Sequence, residues 1–403
     1  MSGRTRTLIG FGVVGALLLF VPNLTEWLDA PGFYVTFLFT SFFWISQASS
    51  WNILTGYSGY FSFGQGAWFG IGVYTTGVLA GKEGWSFVAA LPMAGILAGV
   101  AGLLLGLVVF RVRKLSGEIF ALTTLAVAFV FASIARLWSF IDGGAGVFMT
   151  GTELPSFLGD DFRTAMYRMT LVVALGTVLV AYLIYESRLG WGLFAIRDDE
   201  QVARGLGVPA FRSKMIALGT NAFFAGLMGG VWALQIGFVT VDDVFNIRVP
   251  LFVILMAVLG GMSHWMGPVV GAVIIYTLTD RLNSAGLADV NQVLIGSLLI
   301  ILVLGVREGI YLRLRARWLA SGVVFFGAMA VLTVFDLTDS LIWDFMWAML
   351  LTMVVALIPN GLWDWMAIAG RNIWNRMKSF GKSDDPGDGD PPEEPAMAEQ
   401  AGS

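Results

Sequence analysis

Runs of about twenty apolar residues recur along the chain between short polar stretches. At 1.5 Å per helical residue, each run is long enough to cross a hydrocarbon layer about 30 Å thick. The pattern predicts helices near residues 8–22, 33–54, 57–80, 87–110, 117–138, 168–186, 215–235, 292–306, 318–335 and 341–358. A further apolar segment, 249–279, is broken by Gly260, Gly261, Gly267 and Pro268, and reads either as a re-entrant hairpin or as two short crossings. The expected fold is all-α: a polytopic integral membrane protein of about ten transmembrane helices plus the broken segment. The first run is as short as a signal sequence, but Pro22 and Asn23 follow it rather than a small-residue cleavage pattern, so a retained anchor is expected.

Four regions emerge: an N-terminal anchor and outer loop (1–32), a main membrane domain (33–310), a two-helix membrane extension (311–370) and a tail (371–403). The tail begins with Arg371, Arg376, Lys378 and Lys382 and then turns to acid, Pro and Gly. Such a segment buries too little apolar surface to offset ordering, and is expected to be a disordered cytoplasmic tail that is either solvated or docks a partner.

Composition agrees with a membrane chain, at 57% hydrophobic and 13% charged residues and a mean hydropathy of +0.77. With no cysteine and one histidine, His264, a Cys/His metal site cannot be assembled, and no metal is expected. Orientation follows from the basic residues, which are retained on the cytoplasmic side. Arg4 and Arg6; Arg111, Arg113 and Lys114; Arg188, Arg197, Arg204, Arg212 and Lys214; and Arg307, Arg313, Arg315 and Arg317 all fall on one side of the count. That side is taken as the inside of a cell (plasma or inner) membrane, with both termini cytoplasmic. Lipid is the surrounding medium, and no nucleic-acid partner is expected.

The stretch from Trp51 to Gly81 carries eight glycines in 31 residues. On a continuous helix Gly59, Ser62, Gly66, Gly70 and Gly77 would share one face, and G-x-x-x-G pairs recur at Gly66/Gly70, Gly95/Gly99, Gly102/Gly106, Gly226/Gly230 and Gly267/Gly271. Tight helix packing is one reading. The other is a solute path: Asn52, Thr55, Ser58, Ser62 and Gln65 stand among Gly56, Gly59 and Gly64, and non-helical backbone at membrane depth must be buried or line a wet cavity. Gly260, Gly261, Gly267 and Pro268 form the matching break in the other half, with His264 beside it as a packing group or, alternatively, a proton switch.

No carboxylate or histidine falls in mid-crossing, where proton- or sodium-coupled carriers place one. Glu118, Arg136 and Glu186 sit near crossing ends, so the driving energy is expected from another subunit. The tripeptide at Gly381 to Ser383 is no phosphate loop, because position 376 is Arg where glycine is required.

The loop from Glu186 to Lys214 is too polar to cross. Asp198 is expected to cap a helix with Gln201 three residues on, Gly207 to take a left-handed conformation, and Pro209 to prevent continuation, leaving Val202 and Leu206 on one face. It is either a solvated loop or a short helix docking into a partner's groove.

Three motifs in order carry a resemblance. The run from Asn52 to Tyr74 resembles the N-x-L-x-G-x-x-G-x-x-S-x-G signature of permease subunits of branched-chain amino acid ABC importers. The loop is similar to that family's cytoplasmic stretch at Arg197, Glu200, Ala203, Leu206, Gly207 and Lys214, and residues 257–272 resemble its second glycine segment. Residues 142–147 are a weaker match to an outer-side motif. Urea and amide permeases are close relatives.

The resemblance makes 33–310 a permease domain and implies no enzyme activity in this chain. It implies a sister permease, two cytoplasmic ATPase subunits that supply ATP and Mg, and an extracytoplasmic solute-binding protein, with no cofactor bound here. Arg197, Asp198, Asp199, Glu200, Val202, Ala203, Leu206 and Gly207 would couple to the ATPase, and the two glycine breaks would line the path. Branched-chain or other small amino acids are the implied solutes, with urea, short amides or an ATP-independent channel as alternatives. Gln65, Trp51, Asp142, Asp199, Arg204 and Gly205 depart from the family pattern and bear on substrate and ATPase choice.

Overall fold

The computed structural model describes residues 3–284 except 28–31, 112–116, 142–143, 150–153, 155–157 and 160. The crossings expected at 292–306, 318–335 and 341–358, the two-helix extension and the acidic tail lie outside the described residues. Six described helices are long and apolar enough to cross a membrane.

The first apolar run forms α1 (Gly3–Leu19) and continues into α2 (Val21–Trp27). Pro22 falls in the first turn of α2, where its missing N–H removes no intrahelical bond. Helix α3 (Phe33–Ser58) is the central post, with 20 of its 26 residues buried. It is ringed by α7 (Phe162–Tyr185), α10 (Ala210–Ile236), α12 (Arg248–Gly260) and α13 (Gly267–Ser284). Some of its polar side chains find partners across those packings, while Ser49 Oγ has none among the described residues. Ser46 Oγ and Thr177 Oγ1 are 2.8 Å apart, Tyr57 Oη donates to Ala181 O at 3.2 Å, and Gln47 Nε2 donates to Ala225 O at 3.4 Å.

The expected crossing at 57–80 is not one helix. Helix α3 runs on to Ser58, Gly59 ends it in a left-handed conformation (φ 75°), and α4 begins only at Gln65 (Gln65–Thr76). Of Gly59, Ser62, Gly66, Gly70 and Gly77, only Gly66 and Gly70 therefore share a face of α4. The polar, glycine-rich start of the segment breaks the helix, and the tail of α4 widens into a π-helical turn, Gly77–Lys82.

Many glycines elsewhere act as packing surfaces. Helix α4, α5 (Phe87–Val109) and α10 meet where a Cβ on Gly72 would collide with Gly226 O, and one on Gly226 with the Ala98 side chain. Gly95, Gly99, Gly102 and Gly106 face Phe223, Leu227, Ala222 and Met215 of α10. Without a hydrophobic force between helices in lipid, such close approach is what gives dispersion its strength.

The broken segment is a helical hairpin. α12 and α13 lie so close that a Cβ on Gly260 would collide with Gly267 O and one on Gly271 with Met256 O; the chain turns at Gly261 (φ 109°). At one end of the bundle lie the junctions of α3 with α4 and of α7 with α10, and there Phe110, just past α5, stacks on Phe120 of α6 (Gly117–Leu137) at 5.3 Å. At the other end, β1 (Val147–Phe148) pairs antiparallel with β2 (Phe238–Val239), and α11 (Val241–Val244) leads into α12.

Replacing Gly72 with Ala should separate α4 from α10 and destabilise the fold by about 1–3 kcal/mol, read as a lowered melting midpoint in detergent. Gly12, on α1, has nothing within 4 Å of an added Cβ, so Gly12→Ala should be neutral or stabilise by up to about 1 kcal/mol.

Candidate functional site

The loop from Glu186 to Lys214 folds as two short helices, α8 (Arg188–Asp198) and α9 (Glu200–Gly205). Ser187 caps α8 by accepting from Gly190 N at 3.3 Å. The cap of α9 is Asp199 rather than Asp198: its Oδ1 accepts from Gln201 N at 2.8 Å and Val202 N at 3.0 Å, while Asp198 closes α8. Asp199 wins because its extended backbone (φ −159°, ψ 112°) aims the carboxylate at the two free N–H groups. Gly207 is left-handed (φ 88°), as expected, and Pro209 caps α10.

This platform is bolted to the glycine break at residues 59–64. Lys214 of α10, 1% exposed, donates to Glu200 Oε1 at 2.8 Å and to Tyr60 Oη at 3.1 Å; Tyr60 donates to Glu200 Oε2, and Arg204 to Glu200 Oε1. The ammonium also sits 4.3 Å from the Tyr60 ring centroid and 4.9 Å from that of Phe110. Three side chains thus converge on one carboxylate. Burial pushes the Glu200 carboxyl up, but bonds from Lys214 and Tyr60, the Lys214 charge and Arg204 outweigh it and hold the group below 4.5. Nearby, Arg197 donates to Gly56 O at 2.9 Å and packs its stem over Gly59, whose Cβ would lie 3.1 Å from Arg197 Cγ.

Side chains satisfy the break's backbone. Thr55 Oγ1 donates to Tyr60 O at 3.1 Å and Trp51 Nε1 to Ser62 O at 2.7 Å. Phe63 N donates to Thr124 Oγ1 at 3.0 Å, and Gly64 N to Ser62 Oγ at 3.1 Å. Ser58 returns to Leu54 O, and Gln65 Nε2 binds Gln47 Oε1 at 2.7 Å and Ser50 Oγ at 3.1 Å.

All but one of the residues singled out for a path are therefore packed inside this protomer: Asn52, Thr55, Ser58, Ser62 and Gln65 are each at most 2% exposed, Gly56, Gly64, Gly260, Gly261, Gly267 and Pro268 are buried, and only Gly59 is exposed. The two breaks do meet, since an added Cβ on Gly56 would lie 2.7 Å from Met262 O at the hairpin tip. His264 accepts from Met266 N at 3.1 Å and packs its ring 5.1 Å from Tyr185. Of the residues expected to couple, Arg197, Glu200 and the buried Ala203 serve the attachment. Val202 (58% exposed) and Leu206 (79%) face outward, and Trp191 of α8 is exposed as well. Tyr60 and the enclosing role of Lys214 escape sequence reasoning, because they lie 140 and 14 residues from Glu200 and no helical spacing relates them.

A family model for the permease component of branched-chain amino acid transport systems matches residues 33–303. The chain belongs to this permease family. The high-affinity branched-chain amino acid transport system permease protein LivM of Escherichia coli (strain K12) is 27% identical to this permease over 288 residues, covering 64% of the chain and 65% of LivM. Its counterpart in Salmonella typhimurium is 26% identical with the same coverage. The autoinducer 2 import system permease protein LsrC of Salmonella paratyphi B is 32% identical over 206 residues, 49% of this chain and 56% of LsrC. The chain spans a little under two thirds of the length of the LivM relatives it matches. No solved structure matches it. With six span-length apolar helices among the described residues, this permease is a multi-pass membrane protein, and its relatives are transport components rather than enzymes.

Lys214→Met should strand the Glu200 carboxylate and release α9, at a cost of about 2 kcal/mol, below the 3–5 kcal/mol of fully buried pairs because Glu200 keeps some water. Hydrogen exchange across 198–209 would rise, and adding Glu200→Gln would recover part of the protection. Because the Glu200 carboxyl is held down in the folded state, its contribution is complete above pH 4.5 and fades as pH falls beneath that value. The same exchange measurement on acidification reads this.

Proposed function

We propose that this permease is the translocating membrane subunit of an ATP-driven importer for branched-chain or other small amino acids. The solute is delivered by an extracytoplasmic binding protein, and the core pairs with a sister permease and two cytoplasmic ATPases that bind ATP and Mg. The α8–α9 end of the bundle faces the cytoplasm, as its arginines and Lys214 favour, and both termini lie on that side.

The observation that carries the reading is the division of labour in α9. Its Glu200 turns inward and fastens it to Lys214 and Tyr60 of the bundle, while Val202 and Leu206 are left bare to water. Apolar side chains on a rigidly fastened short helix suit a partner's groove, and rigid attachment lets a partner's motion reach the membrane helices. The glycine breaks, closed within this protomer, fit a path that opens between permease subunits during the cycle. The likeness to the autoinducer 2 permeases supports a second reading, in which the solute is a small polar molecule other than an amino acid.

The test is uptake into vesicles holding this permease, its sister subunit and the ATPases, with solute-loaded binding protein outside. Uptake that requires ATP supports the proposal; equal uptake without nucleotide identifies a channel. A thermal-shift screen of the binding protein separates amino acids from urea, amides and autoinducer 2. Val202→Asp with Leu206→Asp should lower ATP-dependent uptake and ATPase association at least tenfold, about 1.4 kcal/mol or more, while the protein still elutes as a single species.

A further inference from the structure

The last turn of α3 is met by two other parts of the chain at one residue. Because the helix stops at Ser58, Gly56 O loses the N–H that a continuing helix would supply, and the Arg197 guanidinium takes it at 2.9 Å. The carbonyl of Met262 also lies against Gly56: a Cβ added there would meet the Asn52 side chain of α3 first and would stand 2.7 Å from Met262 O. Arg197 belongs to α8, the platform of the coupling surface, and Met262 to the tip joining α12 and α13. A second contact reaches the tip from α7: Tyr185, its last residue and two before the Ser187 cap of α8, packs its ring 5.1 Å from His264 of the tip.

The hairpin has the mechanics of a lever. Gly260, Gly267 and Gly271 bring its two helices into backbone contact, so neither can shift without the other, and Gly261 (φ 109°) gives the tip a conformation that glycine adopts without strain. A fastened platform, a glycine fulcrum and a stiff two-helix arm thus lie in series.

Resting on the importer reading above, we propose that Arg197 is a positioning residue that transmits movement of α8–α9 through Gly56 to the α12–α13 hairpin, and that the hairpin is the moving wall of the path. Arg197 touches neither nucleotide nor solute in this scheme. It keeps the platform and α3 in register, so that displacement at the ATPase contact reaches Met262 rather than dissipating in the loop. Glycine at position 56 permits this approach, since a Cβ there would crowd both the Asn52 side chain and the Met262 carbonyl of the tip.

The chain contains no cysteine, so Met262→Cys gives this subunit a single thiol reporter in the assembled transporter in lipid nanodiscs. Its rate of modification by N-ethylmaleimide is compared without nucleotide and with ATP and vanadate. With Arg197 in place, the rate should differ between the two states by about fivefold or more, the lower range of measured coupling between sites. Arg197→Gln should bring the ratio to near one, Arg197→Lys should restore part of it, and Gly56→Ala should reduce it with Arg197 still present.

An unchanged ratio in Arg197→Gln overturns the relay. So does a modification rate at position 262 that is insensitive to nucleotide in a transporter that still takes up solute on ATP. Should Arg197→Gln fail to assemble, the Gly56→Ala ratio decides by itself, with an undiminished value rejecting the relay. Loss of ATP-dependent uptake in the parent transporter would instead reject the importer reading, so the two failures are distinct.

Discussion

Peptide groups that leave a helix within a packed interior must be satisfied by protein, and in this permease residues 59–64 impose that demand on everything around them. The break does not sit idle between two crossings. It draws Thr55 and Trp51 from α3, Thr124 from α6 and Arg197 from α8 onto neighbouring peptide groups. Two membrane helices and the polar platform are positioned by the needs of one short run of backbone. The glycines that open the break also admit the Arg197 stem and the Met262 carbonyl, so one feature sets both the local conformation and the long-range packing.

The Glu200 cluster follows the same logic with charge. A lysine at the mouth of an apolar helix would be costly alone, and the enclosing carboxylate, phenol and two aromatic rings supply what water would have given. The pairing contributes position more than stability, since a partly buried ion pair gains little over apolar packing. With Glu200 committed inward to Lys214 and Tyr60, α9 leaves Val202 and Leu206 on an exposed face whose orientation is fixed relative to α10 and the break after α3.

Much of this architecture was legible in the residue pattern. Apolar run lengths located most of the described helices within a few residues, and the density of Gly and Pro at 56–66 and 260–268 marked both interruptions, because each is a property of contiguous residues. What escaped was whatever depends on pairing across the chain. The glycines of 59–77 were compatible with one helix face until the hydrogen bonds of Trp51 and Thr124 selected a break. Asp198 and Asp199 are equivalent as letters, and only backbone direction chose the cap. Tyr60 gave no sign of its partner 140 positions away. Of the candidate site, composition revealed the exposed face of α9 but not which charges fasten it.

The buried polarity of α3 has a consequence for how the protein is made. Ser41, Ser46, Gln47, Ser49, Ser50, Asn52 and Thr55 are all enclosed by neighbours, and α3 is missing from the helices apolar enough to span a bilayer unaided. Its hydroxyl partner Thr177 is synthesised 131 residues later. At the moment it leaves the ribosome, then, this post is a poor guest for lipid, and its lasting residence in the bilayer depends on the later arrival of α7 and α10. Biogenesis is thereby tied to translation order: the centre of the bundle is the first full-length crossing of the permease domain to be made and the last to become comfortable.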